Sequence, residues 1–108
     1  MSDTLRIREL NDHARQNFVG CRVVITHGVN SLGEASVAAI LRDVQLFDDF
    51  SEHNDPYGEH DFGKISHLGH DVFWKWDYYD LDFTMHSPDA SDPTVTARVL
   101  TIMLAEEY

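Results

Sequence analysis

His70-Asp71-Val72-Phe73-Trp74-Lys75-Trp76-Asp77-Tyr78-Tyr79 is the stretch that decides the fold. It is rich in aromatic residues, which favour a pleated, half-buried strand. Successive side chains of a strand point to opposite faces, so Val72, Trp74, Trp76 and Tyr78 share one face. Phe73, Lys75, Asp77 and Tyr79 share the other. The first set is the expected core face. His60 to His67 precedes it, separated by Leu68-Gly69, and a glycine there supplies the positive φ of a tight hairpin. Leu81 to Met85 follows, with Leu81, Phe83 and Met85 alternating against Asp82 and Thr84, and reads as a third strand.

Upstream, Leu5, Ile7, Leu10, Ala14 and Phe18 recur at near-helical spacing behind a cap at Ser2 or Asp3. Gly20 ends that helix. Val23, Val24 and Ile25 form a short continuous apolar run, read as a buried strand. Ser31-Leu32-Gly33-Glu34 matches a capping box, and Val37, Ile40, Leu41, Val44 and Phe47 give the next helix its apolar stripe. Pro56 and Gly58 mark a turn. Downstream of the strands, Asp92 is read as the cap of a last helix with Pro93 at its first position, and Val95, Val99, Ile102 and Met103 as its inner stripe. The expected class is α+β: a small antiparallel sheet with helices, in the order α-β-α-β-β-β-α, in one domain over residues 1–108.

Apolar residues are 43% of the chain and charged residues 25%, a globular composition. The formal net charge is −11, and it is unevenly placed. Residues 43–92 hold Asp43, Asp48, Asp49, Glu52, Asp55, Glu59, Asp61, Asp71, Asp77, Asp80, Asp82, Asp89 and Asp92 against only Lys64 and Lys75. Six arginines balance six acids in the remainder. Cys21 is the only cysteine, which fits a reducing cytoplasm. The first ten residues lack the apolar centre of a signal peptide, and no stretch approaches the roughly 20 apolar residues of a membrane span.

Several long motifs stand out: Asn54-Asp55-Pro56-Tyr57-Gly58-Glu59-His60-Asp61-Phe62-Gly63, Phe73-Trp74-Lys75 with Asp77-Tyr78-Tyr79-Asp80, Asp92-Pro93, and Arg98 to Tyr108. On these the chain resembles the bacterial domain-of-unknown-function family numbered 3768, from Ile7 to Tyr108. The family pattern has a glycine before the serine near residue 87, where this chain has His86. The resemblance implies no activity. It implies a setting among accessory genes of plasmids, phages and other mobile elements.

Four constellations bear on function. The acidic block reads either as a solvated surface or as a surrogate for nucleic acid, since DNA-binding proteins present dense Lys/Arg grooves that rows of carboxylates can occupy. His53, Glu59, His60, Asp61, His67 and His70 are ligand types for zinc, manganese or iron, and His60 and His70 could meet across the hairpin. No established ligand spacing is present, however. Nor is there a Gly-rich phosphate loop, and Cys21 beside an apolar run reads as an inert thiol. Phe73 and Tyr79 beside Asp77 could anchor a protein interface if no helix covers them.

The expectation is therefore a non-enzymatic inhibitor of a mobile element, without cofactor or metal. It would be an anti-CRISPR or anti-restriction protein, blocking a basic nucleic-acid-binding surface of a host defence complex by nucleic-acid mimicry. Asp48, Asp49, Glu52, Asp55, Glu59, Asp61, Asp77, Asp80 and Asp82 are the expected contacts. No basic patch suits direct nucleic-acid binding. The alternatives are a small metal-dependent enzyme or metal-binding module centred on His60, and a homo-oligomeric accessory protein.

Overall fold

The computed structural model describes residues 2–108, and of Ser2 only the backbone. A cap from the Ser2 side chain lies outside the described residues. Helix α1 spans Ser2–Asn17, strand β1 Arg22–Ile25, the single-turn helix α2 His27–Asn30 and helix α3 Glu34–Leu46. Strands β2 (Phe62–His67), β3 (His70–Tyr79) and β4 (Ala97–Leu104) follow, and a 3₁₀ turn covers Ala105–Glu107. The class is α+β, as expected.

The sheet order is β1-β4-β3-β2. β3 pairs antiparallel with both β2 and β4, while β1 runs parallel to β4, so the sheet is mixed rather than wholly antiparallel. The hairpin forms in the expected place, with His67 opposite His70. Leu68 (φ 49°) and Gly69 (φ 83°) both take positive φ, as a two-residue type I′ turn demands.

The core face of β3 is also as read. Val72 and Trp74 are fully buried and Trp76 is 4% exposed. They pack with Leu100 and Ile102 of β4 against Ala14, Val29, Ile40 and Val44 of the helices. A Cβ at Gly63 would overlap the Trp74 indole, so this position on β2 holds only a glycine without rearrangement.

Two elements are corrected. The expected last helix is β4, the strand next to β3. A central strand packed on both faces is a near-continuous apolar run, and Ala-Arg-Val-Leu-Thr-Ile-Met-Leu satisfies a helical stripe as easily as a strand. Asp92 does cap, but only one turn: its Oδ1 accepts from the Thr94 N–H and hydroxyl. The expected strand Leu81–Met85 is a turn. Asp80 accepts from the Thr84 N–H (3.0 Å) and hydroxyl (3.1 Å), a side-chain bond that draws backbone away from a ladder.

Two smaller readings also change. The capping box does not form: Ser31 closes α2 and donates to the Gly28 carbonyl, and Gly33 is the N-cap of α3. β1 lies at the sheet edge, with Val24 38% exposed, so the strand is only half buried.

Candidate functional site

Strand polarity gathers the acidic block. β3 runs antiparallel to both neighbours, so its C-terminal end lies beside the starts of β2 and β4. The segments 47–61 and 80–96 therefore emerge at the same end of the sheet. All nine acids expected as contacts lie in these segments or, for Asp77, at the end of β3.

Asp48, Asp49, Glu52 and Asp82 are exposed there, and Glu59, Asp61, Asp77 and Asp80 are half-buried. Asp55 is different. It is 8% exposed, and its Oδ1 accepts from the His60 backbone N–H at 3.1 Å. It supports the loop from beneath and is not offered to a partner.

The arginines near this end do not neutralise it. Arg8 donates from Nε to the Gly58 carbonyl at 2.6 Å. Arg15, 1% exposed, donates from Nη1 to the carbonyls of Val44 (2.8 Å), Gln45 and Phe47 (3.0 Å). These acceptors lie at the C-terminal end of α3, the negative end of its dipole, and the Val44 carbonyl also takes the Phe47 N–H. Arg98 donates to Asn11 and to the Ala90 carbonyl. Within residues 43–92, only Asp55, Asp71 and Asp77 face a cationic or titratable base among the described residues, namely His60, Lys64 and Lys75.

Beneath the acids lies a polar bracket that sequence reading missed. Arg8, Asn11, Asp12 and Arg15 follow i, i+3, i+4, i+7 spacing, so α1 presents them on one face. Asn11 is fully buried. Its Nδ2 donates to the Glu59 carbonyl (3.0 Å) and to the Tyr78 hydroxyl (2.8 Å), and its Oδ1 accepts from Arg98 Nε (2.9 Å). The Tyr78 hydroxyl in turn donates to Glu59 Oε1 at 3.1 Å.

His60 Nδ1 donates to both oxygens of Asp12, at 2.9 and 3.0 Å, because an ionised carboxylate only accepts. Its ring stacks on Phe50 with centroids 3.6 Å apart, and Nε2 lies 3.6 Å from Asp55. These contacts hold His60 at a positive φ of 53°, uncommon for a residue with a Cβ.

The two acidic segments differ electrostatically. Burial raises the Glu59 carboxyl above its ordinary value, with repulsion from Asp61 and Asp55 adding to it and the Tyr78 bond opposing it. Burial likewise raises Asp61. Asp80 is lowered, first by the Thr84 N–H, and Asp92 is lowered by the Thr94 hydroxyl.

The histidines do not converge. The hairpin register puts His70 at one end of β2 and His60 beyond its other end, so the two cannot meet. Among the described residues, no group of three His, Cys, Asp or Glu side chains is placed to hold a metal ion. Cys21 is half-buried, and burial raises its thiol above the ordinary range.

Among the described residues, the buried helical side chains of the core pack on the Trp74 side, and none joins the core from the second face of the sheet. Phe73 packs with Phe62 (5.1 Å) and Tyr108 (5.5 Å). Tyr57, 78% exposed, and Tyr108, 73% exposed, flank an open groove of about 350 Å³ that Asp61, Lys75 and Asp77 also line. Aromatic and acidic side chains thus share one surface at the acidic end.

Residues 25–107 match the family described as Protein of unknown function (DUF3768). The chain belongs to this family. The matched span covers the acidic block and strands β2, β3 and β4, takes in only the last residue of β1, and leaves out α1, from which the bracket residues project. No curated protein and no solved structure matches the chain. No helix among the described residues is long and apolar enough to cross a membrane.

Proposed function

We propose that this DUF3768 protein is a non-enzymatic inhibitor of a mobile element. It acts in the cytoplasm by occupying a basic DNA-binding surface of a host defence complex, such as a CRISPR effector or a restriction enzyme. One observation carries the reading: the acids gather at one end of the sheet while the nearby arginines are spent on carbonyls. Concentrating like charge costs stability through self-repulsion. Among the described residues, only Asp55 and Asp77 of the nine acids have a basic partner to relieve that cost, which supports a use for the charge. Double-stranded DNA carries one negative charge per ~1.7 Å of axis, and the grooves that bind it are matched to dense anions.

The contacts proposed are Asp48, Asp49, Glu52 and Asp82, with Glu59, Asp61, Asp77 and Asp80 behind them. Such an association forms fast and weakens as salt rises. The test is capture from a host lysate at low and high salt, using wild type and a variant carrying Asp48→Lys, Asp49→Lys, Glu52→Lys and Asp82→Lys together. The expected result is recovery of a nucleic-acid-processing complex by wild type at low salt only, and none by the variant. Equal recovery by a folded variant would overturn the proposal.

The aromatic face favours a second reading, a homo-oligomeric accessory protein. A mass in solution that rises with concentration, and no longer does so after Tyr57→Ser with Tyr108→Ser, is the result expected on that reading.

A further inference from the structure

Among the described residues two cations are buried, Arg15 and Arg98, and only Arg15 forms an ion pair. Arg15 pairs with Asp12 at 3.2 Å. Arg98 is 4% exposed and forms no ion pair with a described residue. Its Nε donates to the neutral Asn11 amide, its Nη2 to the Ala90 carbonyl, and its plane lies over the Tyr78 ring. Its Nη1 makes no hydrogen bond to a described residue. Burying a guanidinium without an anion is costly. Supply is not the reason for the missing partner, since the chain has 19 acids against 8 bases.

Glu59 attracts Arg98 through space without forming an ion pair, and the other carboxylates of the adjoining segments hold other donors. Asp12 serves His60 and Arg15, and Glu59 accepts from Tyr78. Asp89 accepts from Ser91 and Asp92 from Thr94.

Arg98 lines a small cavity of about 120 Å³ between α1 and the segment that leads into β4. Leu10, Ala14, Val19 and Pro93 give it aliphatic walls, with His13 and Thr96 as its other polar lining. The volume equals roughly four water molecules. An arginine without an ion pair, lining a short aliphatic slot, is complementary to an anion with a short aliphatic tail.

We propose that this cavity binds a small aliphatic monocarboxylate. The carboxylate sits on the Arg98 guanidinium, and the tail lies along Leu10, Ala14 and Val19. This site is independent of the acidic end and of any inhibitor function.

Butyrate is the probe, followed by NMR at the Leu10, Ala14 and Val19 methyls and at the Arg98 Nε–H. n-Butanol, n-butylammonium and inorganic phosphate are the controls. Saturable shifts confined to these groups are expected with butyrate, with a dissociation constant on the order of millimolar for so small a ligand. Butanol should bind about tenfold more weakly or worse, and butylammonium not at all. Butyrate binding no tighter than butanol would remove the role of Arg98. Phosphate binding as tightly as butyrate would remove the role of the aliphatic walls.

Val19 is 49% exposed at this cavity, so Val19→Asp should fold normally. It is expected to weaken butyrate about tenfold by placing a competing carboxylate beside Arg98. Unchanged butyrate affinity in this variant would overturn the proposal.

Discussion

The two acidic segments at the end of the sheet are held in opposite ways. Segment 47–61 is fastened to the body: Arg8, Asn11, Asp12 and Arg15 reach it from α1, and His60 stacks on Phe50. Segment 80–96 is fastened mostly to itself. Asp80 holds Thr84, Asp89 holds Ser91, Asp92 holds Thr94, and Ser87 bonds Thr96. The first segment spends few carboxylates on its own support, Asp55 chief among them, because arginine and amide donors do that work. The second consumes Asp80, Asp89 and Asp92 in its own turns and leaves Asp82 exposed. A carboxylate committed to a turn is a poorer contact for a partner, so the 47–61 side is the stronger candidate for the charged interface.

The largest effect should come from Arg15→Met. The change removes the donor to two carbonyls of α3 and that of its C-cap Phe47, the partner of Asp12, and the cation over the Trp74 ring at 5.1 Å. Leaving buried acceptors unpaired costs on the order of 3 kcal/mol here. Urea unfolding should show that loss, and amide exchange in 47–61 should accelerate while that in 80–96 stays as it was. Equal acceleration in both segments would end the distinction between them.

That experiment also marks where the sequence was readable. The hairpin was legible because the alternation of 70–79 and the Leu68-Gly69 turn both follow from local geometry. β4 was not, since an apolar run buried on both faces carries no period of its own. The bracket escaped for a related reason. Reading α1 for its apolar residues counted Leu5 in the near-helically spaced set, yet Leu5 is 52% exposed and Asn11 and Arg15 are buried. The helical spacing of Arg8, Asn11, Asp12 and Arg15 was present in the sequence. What it lacked was a partner, because the 54–60 turn and Tyr78 lie far along the chain.

The second test is titration of the carboxyls by carbon NMR. Glu59 and Asp61 should titrate above the ordinary carboxylate range and Asp80 and Asp92 below it. The consequences for stability have opposite signs. In the window between the ordinary and the raised values, the folded state binds more protons at Glu59 and Asp61 than the unfolded chain does. Stability from this pair therefore falls as pH rises through that window. Asp80 and Asp92 contribute stability that is present above the ordinary value and is lost as pH falls through their lowered values. Tyr78→Phe sharpens the contrast: losing the hydroxyl that donates to Glu59 should push Glu59 higher still and leave Asp80 unchanged. A titration order with Asp80 above Glu59 would contradict the contrast between a carboxylate raised by burial and one lowered by its bonds to Thr84.

The smallest effect should come from Asp80→Ser. Asp80 organises its turn through the Thr84 N–H and hydroxyl, and the Asp80 N–H bonds the Met85 carbonyl independently of its side chain. A serine hydroxyl can still accept from the Thr84 N–H, though without charge. The urea midpoint should hardly move, because Leu81, Phe83 and Met85 on this turn are exposed and no core packing depends on them. The change should appear locally instead, as faster exchange of the Thr84 amide. Arg22, whose guanidinium lies 4.5 Å from the Phe83 ring centroid, reports whether the turn has shifted. If Asp80→Ser instead loosened 47–61, the segments would be coupled across the end of the sheet. The acidic end would then be a single unit rather than one anchored loop beside one self-supporting loop.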